Sequence, residues 1–190
     1  MGSAGVSQAE PHLGWLKDYI RDVPDFPSPG IVFKDLTPLL AAPAALAAAV
    51  RGLAAPFGRL AVTKVVGIEA RGFIVAAPVA LDLQAGFVPV RKPGKLPWKT
   101  EVAAYELEYG SDVLSIHADG VGPGDRVLIV DDVIATGGTA AATIELVTRL
   151  GAEVIGLAFL IELGFLAGRR RLVESGLARD ADIVALLAYE

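Results

Sequence analysis

Short apolar segments alternate with helical segments along most of this chain, and this alternation restricts the possible folds most strongly. The apolar segments have the length and unbroken hydrophobicity of strands that are buried on both faces. We predict strands at about 64–67, 85–92, 126–132 and 153–163, and helices at 43–55, 72–81 and 138–150. The pattern therefore predicts an α/β fold whose mainly parallel, twisted sheet is flanked by helices.

The remaining segments are less regular. Residues 9–21 carry apolar side chains at helical spacing, and the three prolines and the glycine of 23–30 predict a loop. A glycine- and proline-bearing flexible loop is predicted at 93–105. Two further strands, in VAAYELEYG and DVLSIHA, are expected to be joined by a tight turn at Gly110-Ser111.

Length and composition exclude several classes of protein. A chain of 190 residues fits a single domain spanning 1–190. The mean hydropathy is +0.52, but the longest apolar run, Leu39–Val50, has twelve residues and contains Pro43. That is short of the ~20 residues that span a bilayer, so no membrane partner is expected. A net charge of −5 argues against a nucleic-acid partner.

The chain offers few ligands for a metal of its own. It has no cysteine and only two histidines, so thiolate and histidine-rich sites are excluded and a metal must come with oxygen ligands or with the substrate. The N-terminal MGSAGVSQAEPHLG lacks a basic segment followed by an apolar one. We therefore expect no signal peptide and a cytoplasmic location.

The stretch RVLIVDDVIATGGT combines a strand, two acids and a small-residue loop. The loop Ala135-Thr136-Gly137-Gly138-Thr139 precedes a predicted helix, whose free N–H groups and dipole favour a phosphate. No lysine occupies the Walker position, which excludes a nucleoside-triphosphate P-loop. Acids and glycines also commonly end strands and open helices, so the pattern alone leaves the function of Asp131 and Asp132 open.

The full stretch resembles the phosphoribosyl pyrophosphate (PRPP) motif of the type I phosphoribosyltransferases. The resemblance implies that the loop holds the 5-phosphate and that Asp131 and Asp132 accept hydrogen bonds from the ribose 2- and 3-hydroxyls. It also implies that Mg²⁺, bound mainly through PRPP and water rather than by protein ligands, tempers the negative charge.

Further segments narrow the resemblance. From about Trp15 to the C-terminal AYE, the chain resembles the adenine phosphoribosyltransferase family, carrying in order PDFPSPGIVFKDLTPLL, GIEARGFI, RKPGKLP and YELEYG. Each motif is weakly specific alone, and the ordered set is strong. The implied reaction of purine salvage converts adenine and PRPP to AMP and pyrophosphate.

The resemblance assigns cations to the leaving pyrophosphate. Arg71 would contact it from GIEARGFI, where the Glu69-Ala70 peptide is expected to be cis. The basic residues Arg91, Lys92 and Lys95 would also bind it, with Arg91 reaching the neighbouring subunit's site, which implies a homodimer. The alternatives for these residues are an ordinary arginine at a helix start and a solvated basic turn.

The resemblance also places a hood over the base at about 22–40. Phe33 would stack on adenine, and main-chain groups of Ile31 to Lys34, including Val32, would read the edge of the base. Backbone recognition explains why these side chains need not be polar. The alternative for Phe33 is a loop aromatic packed on the core.

Glu108 in YELEYG is the residue that the resemblance assigns to proton transfer, because a carboxylate against the purine can accept its proton. Glu106 and Glu101 are alternatives that the sequence alone does not separate, and Tyr105 or Tyr109 could close over the site. We interpret His117 as a surface strand residue and 169–171 as a solvated helix face.

Three other functions remain open, one of which is a plain nucleotide-binding module without turnover. A phosphoribosyltransferase for hypoxanthine, guanine or xanthine would differ in the hood, and IVFKD favours adenine. A non-catalytic PRPP-sensing regulator would need a basic face or a DNA-binding segment and could dispense with the hood and Glu108. By the resemblance this chain carries the hood and Glu108, and its sequence indicates neither a basic face nor an added DNA-binding segment.

Overall fold

The structure, a computed structural model, describes the backbone of residues 11–107 and 110–190 and the side chains of 13–104 and 113–190. The strands are β1 Arg21–Pro24, β2 Val32–Asp35, β3 Lys64–Ile68, β4 Gly86–Val90, β5 Thr100–Leu107, β6 Gly110–His117, β7 Arg126–Ile134, β8 Glu153–Leu163 and β9 Ile183–Tyr189. The α-helices are α1 Thr37–Ala41, α2 Pro43–Ala54, α3 Gly72–Asp82, α4 Gly138–Arg149 and α5 Gly168–Glu174. Short 3-10 helices cover Pro11–Tyr19, Ala55–Phe57, Gly164–Leu166 and Asp180–Asp182.

The central sheet has five parallel strands in the order β4-β3-β7-β8-β9. The predicted α/β class with a parallel sheet flanked by helices is confirmed. Two antiparallel hairpins, β1–β2 and β5–β6, form separate two-stranded sheets.

Strand β7 shows why the sheet needs helices on both faces. Its side chains alternate, so Val127 and Ile129 lie in one core cluster with α4, whereas Leu128 and Val130 lie in another with α2 and α3. All four are fully buried. The unbroken apolar run therefore supplies buried side chains to the clusters on both faces of the sheet.

Glycines set both ends of helix α4. Gly137 precedes it with φ +85° and Gly151 follows it with φ +84°, a region that other residues adopt at a steric cost. The predicted end of this helix at Gly151 is confirmed.

Three local predictions were wrong in part. Gly110 and Ser111 do not form a turn but pair with Leu107 and Glu106 in the β5–β6 hairpin. The predicted flexible loop 93–105 is also strand from Thr100 onward. Within the predicted loop 23–30, Val23 and Pro24 belong to β1, because Pro at the end of a two-stranded ribbon costs no ladder bond.

Two side chains are less exposed than predicted. His117 was interpreted as a surface residue, but its Nε2 is buried without a hydrogen-bond partner. Arg169 is not on a solvated face: it forms ion pairs with Glu162 at 2.9 Å and with Asp180 at 3.2 Å. Arg169 therefore ties the start of α5 to the end of β8.

No helix in the described part of the chain combines the length and hydrophobicity that a transmembrane span requires.

Candidate active site

A cleft of about 440 Å³ opens at the carboxyl ends of β3 and β7, two neighbouring parallel strands. Ligands of open α/β sheets bind at this edge. The described lining comes from the β1–β2 hairpin, the turn after β3, the segment after β4, strands β6 and β8, and the end of β7 with the loop and helix start that follow it. Its residues are Ile31, Val32, Phe33, Lys34, Glu69, Ala70, Arg71, Lys92, Leu114, Asp131, Asp132, Val133, Ala135, Thr139 and Leu163. Most of the predicted site residues that the structure describes therefore meet in one cleft.

The acidic pair lies inside β7, two residues before its end, rather than beyond it. Asp131 and Asp132 are 9% and 5% exposed, and the Asp132 N–H donates to Asp131 Oδ1 at 2.9 Å. Burial, and next the neighbouring Asp132 charge, raise the pKa of Asp131 well above its ordinary value. The first carboxyl therefore holds its proton more tightly than an exposed aspartate does.

Gly72 allows this burial. A Cβ at Gly72 would collide with Asp131 Oδ1, so only glycine lets the start of α3 pack against the carboxyl. Sequence reasoning missed this role, because nothing near position 72 in the chain indicates that β7 will lie beneath it.

Arg71 connects three parts of the cleft. It follows the turn after β3, where the predicted cis Glu69-Ala70 peptide is confirmed. Its Nε lies 2.7 Å from Asp132 Oδ2, an ion pair without hydrogen-bond geometry, and its guanidinium lies 5.0 Å from the centroid of the Phe33 ring. One cation therefore contacts both the acidic pair and the aromatic ring of the hairpin.

The small-residue loop is backed by helix α5. A Cβ at Gly137 would lie 2.9 Å from the Gly168 carbonyl oxygen, and one at Gly168 would collide with the Ala135 carbonyl oxygen. Arg171 Nη1 donates to the Thr136 carbonyl at 3.3 Å. These contacts hold the 135–139 loop from behind, so its open side faces the cleft at the N-terminus of α4. Sequence reasoning missed Gly168 and Arg171, which carry no motif.

The basic segment after β4 is held by Glu69. The Arg91 guanidinium contacts both Glu69 carboxylate oxygens, at 3.1 and 3.3 Å, and the Lys92 N–H donates to Oε2 at 2.9 Å. These hydrogen bonds, that from Arg91 first, lower the pKa of Glu69. Arg91 Nη1 also donates to the Lys95 carbonyl. Of these three basic side chains, only Lys92 is part of the described cleft lining.

The β1–β2 hairpin presents Val32, Phe33 and Lys34 to the cleft. The Phe33 ring packs edge-on against Phe26 at 5.2 Å between centroids, so it is braced within the hairpin. Lys34 Nζ lies 2.6 Å from Asp22 Oδ1 across the two strands.

The site geometry agrees with comparisons to known proteins. Residues 38–178 match the family model of the phosphoribosyl transferase domain. The chain is 62% identical to the adenine phosphoribosyltransferase of Streptomyces coelicolor over 172 residues, which are 90% of this chain and 93% of that protein. The chain belongs to the adenine phosphoribosyltransferase family.

Solved structures of the family have the same fold. The adenine phosphoribosyltransferase of Rhodothermus marinus matches with a TM-score of 0.86 at 55% identity, covering 93% of this chain and 98% of that one. The Giardia lamblia enzyme, complexed with 9-deazaadenine, matches with a TM-score of 0.86 at 37% identity, covering 94% and 98%. The predicted type I phosphoribosyltransferase fold is therefore confirmed.

One predicted family residue cannot be placed. Glu108, assigned to proton transfer, lies outside the described residues, as does Tyr109, and the side chains of Tyr105 and Glu106 are also outside them. Glu101 is exposed near the start of β5. The role of Glu108 stays a prediction from the family resemblance.

The raised pKa of the buried Asp131 carboxyl predicts how the stability of this protein depends on pH. Between the ordinary pKa of 3.8 and its raised folded value, the folded state binds the Asp131 proton more tightly than the unfolded chain does, so stability falls as pH rises through this window. An Asp131→Asn variant removes this cost. We expect its melting temperature at pH 8 to rise by about 2–4 °C, the effect of ~1 kcal/mol in a domain of this size.

Calorimetric melting at pH 8 and pH 5 measures this effect. The gain should be smaller at pH 5, and the exposed Asp119→Asn should show none at either pH. A lower melting temperature for Asp131→Asn at pH 8 would mean that the folded protein gains more from the charged carboxylate than burial costs.

Proposed function

We propose that this chain transfers the 5-phosphoribosyl group of PRPP to adenine, forming AMP and pyrophosphate. The observation that supports this best is the position of Arg71, which contacts the acidic pair through Asp132 and the Phe33 ring in one cleft. The carboxylates suit a ribose, and the ring suits a flat base. The Arg71 guanidinium lies between them, where its positive charge would stabilise the leaving pyrophosphate.

The ribose 5-phosphate would bind the 135–139 loop. Gly137 and Gly138 let the phosphate approach the main chain, and the N–H groups at the start of α4 point toward it. Thr136 and Thr139 add hydroxyl donors. Asp131 and Asp132 would accept hydrogen bonds from the ribose hydroxyls, which replaces part of the solvation that burial removes.

The pyrophosphate would leave toward the turn after β3. Arg71 is half exposed and held at Asp132 by an ion pair without hydrogen-bond geometry, so its guanidinium can turn to an incoming polyanion. Arg91, Lys92 and Lys95 would supply further positive charge as the carbon–oxygen bond breaks. Stabilising the departing charge favours an oxocarbenium-like transition state.

The adenine would lie between the Phe33 ring and the cleft floor, with main-chain groups of 31–34 reading its edge. Its ring nitrogen forms the new bond to the anomeric carbon and loses a proton. Glu108 would accept that proton. The loop at 93–99, the part of the predicted 93–105 loop that is not strand, would close over the site and exclude water.

Mg²⁺ would enter with PRPP. Within the described residues, no three or more metal-ligating side chains are grouped to hold a cation. The carboxylates of Asp131 and Asp132 are oxygen donors of the kind Mg²⁺ accepts, and they fit a cation carried mainly by substrate oxygens and water. When bound, Mg²⁺ neutralises pyrophosphate charge.

The activity can be tested with the purified protein, adenine, PRPP and Mg²⁺. We expect AMP and pyrophosphate in equal amounts, loss of turnover on adding EDTA, and recovery with excess Mg²⁺. Absence of AMP would contradict the proposed function. Full turnover in EDTA would contradict only the role of Mg²⁺.

We also propose that the enzyme is a homodimer. The edge strand β4 and helix α3 expose apolar side chains, with Leu81 80% exposed, Ile74 47% and Phe87 38%. Arg91 lies beside this surface, 6.0 Å from the Phe73 ring, which itself packs on Phe87. A partner subunit bound to this surface would therefore lie next to Arg91. The cytoplasmic location stays a prediction.

Mixing two inactive variants tests whether Arg91 acts across the interface. Arg91→Ala and Glu108→Gln subunits are combined after reversible dissociation. If Arg91 acts in the partner's site, hybrid dimers contain one intact site, and random pairing restores about a quarter of wild-type activity. No recovery from confirmed hybrids would place Arg91 in its own subunit's site, and a monomer in light scattering would contradict the dimer.

A further inference from the structure

The β1–β2 hairpin that covers one side of the cleft has no ladder to the central sheet. It forms a two-stranded sheet of its own. The residues that flank it, Ile20 and Leu36, pack with a buried core cluster, and side-chain contacts of the hairpin itself add to this attachment. One is the contact of Arg71 with the Phe33 ring, and our proposed function requires Arg71 to turn toward pyrophosphate. A side-chain contact that does not involve Arg71 would continue to hold the hairpin when PRPP is bound.

Tyr189, near the end of the chain, provides such an attachment. Lys34 Nζ lies 4.3 Å from the centroid of the Tyr189 ring. The Lys34 side chain is only 15% exposed, and its ammonium group also contacts Asp22 of the other hairpin strand at 2.6 Å. A largely desolvated cation over an aromatic face is worth more than an exposed one.

The Tyr189 ring is itself fixed. Lys17 Nζ lies 5.0 Å from its centroid and donates to the Ala188 carbonyl at 2.9 Å. Tyr189 pairs with Leu163 in the central sheet and packs beside a buried core cluster. Leu163 lines the cleft, as Lys34 does. The Tyr189 ring thus links the hairpin to strand β9 of the central sheet, on the side of the cleft that we propose binds the base.

We propose that Tyr189 is a positioning residue that holds the β1–β2 hairpin over the adenine side of the cleft through Lys34. This inference rests on the proposed function for its kinetic consequence. Tyr189 contacts no residue of the 135–139 loop in these interactions, so its effect falls on adenine and not on PRPP. The aromatic face carries the contact, so the hydroxyl is dispensable.

Steady-state kinetics of three variants test this role. Tyr189→Ala should raise the KM for adenine by about 5- to 30-fold, the effect of a desolvated cation–π contact, with the KM for PRPP unchanged. Tyr189→Phe should keep the wild-type KM. Tyr19→Ala, which removes a half-exposed tyrosine packed edge-on against Trp15, is the matched control and should also leave it unchanged.

A double-mutant cycle tests the route through Lys34. In a Lys34→Met background, which keeps the stem but removes the charge, Tyr189→Ala should add little further loss. Full additivity would overturn the proposed route. Equal rises of both KM values, or a Tyr189→Phe variant as impaired as Tyr189→Ala, would overturn the positioning role.

Hydrogen exchange separates this inference from the proposed function. Mass spectrometry of peptides covering residues 21–35 needs no turnover. Tyr189→Ala should speed exchange in this hairpin, while Tyr189→Phe and Tyr19→Ala should not. If the protein forms no AMP but shows this pattern, the role of Tyr189 in holding the hairpin stands and the proposed function fails. Unchanged exchange in Tyr189→Ala would overturn the role of Tyr189, even in an active enzyme.

Discussion

A Gly137→Val variant loses PRPP affinity by a factor of about 100 or more. Gly137 has φ +85°, where a side chain costs roughly 1–2 kcal/mol even before branching at Cβ is counted. The new Cβ would also lie 2.9 Å from the Gly168 carbonyl oxygen, so the loop must shift away from helix α5. Such a shift misplaces the N–H groups that would bind the 5-phosphate. Isothermal titration with PRPP and Mg²⁺ measures the loss.

Gly124→Val is the control for this experiment. Gly124 has a similar φ of +91°, but a Cβ there meets nothing within 4 Å, and it precedes β7 rather than following it. It should lose stability from the backbone angle and keep its PRPP affinity. If the two variants bind PRPP equally well, the 135–139 loop is not the phosphate site.

Replacing Glu108 with glutamine lowers turnover by roughly 10²- to 10⁴-fold and leaves PRPP affinity intact. Glutamine keeps the size and hydrogen-bonding reach of the side chain but removes the carboxylate that accepts the proton. The expected loss corresponds to about 3–5 kcal/mol of transition-state stabilisation. Steady-state turnover with saturating adenine and PRPP measures it.

Glu106→Gln and Glu101→Gln are matched controls, since each makes the same change within the same segment of chain. Both should cost much less than Glu108→Gln. A larger loss in either control would move the proton acceptor to that residue, and wild-type turnover in the Glu108 variant would remove it from the reaction.

The parts of the fold that could be predicted from sequence are those fixed by local patterns. The apolar run of β7 and the glycine before and after α4 define their elements without reference to other segments. The 135–139 loop, which we propose as the phosphate site, belongs to this group, because glycines, hydroxyls and a helix start are adjacent in the chain. The cis Glu69-Ala70 peptide could be predicted only from the family resemblance.

The contacts that could not be predicted join distant segments. Lys34 lies over the Tyr189 ring, Arg171 donates to the Thr136 carbonyl, and Gly72 packs against the buried Asp131 carboxyl. In each case the topology of the chain, and not the spacing of residues along the sequence, brings the two residues together. Arg169 was misread for the same reason. Three consecutive arginines on a helix suggest a solvated face, whereas the position of β8 supplies Glu162 as a partner.

Competition among purines tests the central claim most directly. The protein is given limiting PRPP, Mg²⁺ and equal amounts of adenine, hypoxanthine, guanine and xanthine, and the nucleotides formed are separated and quantified by mass spectrometry. Our account predicts that AMP is the dominant product, because the main-chain groups of Ile31 to Lys34 in the β1–β2 hairpin select the base. A mixture dominated by another purine nucleotide, or free of any, would contradict it.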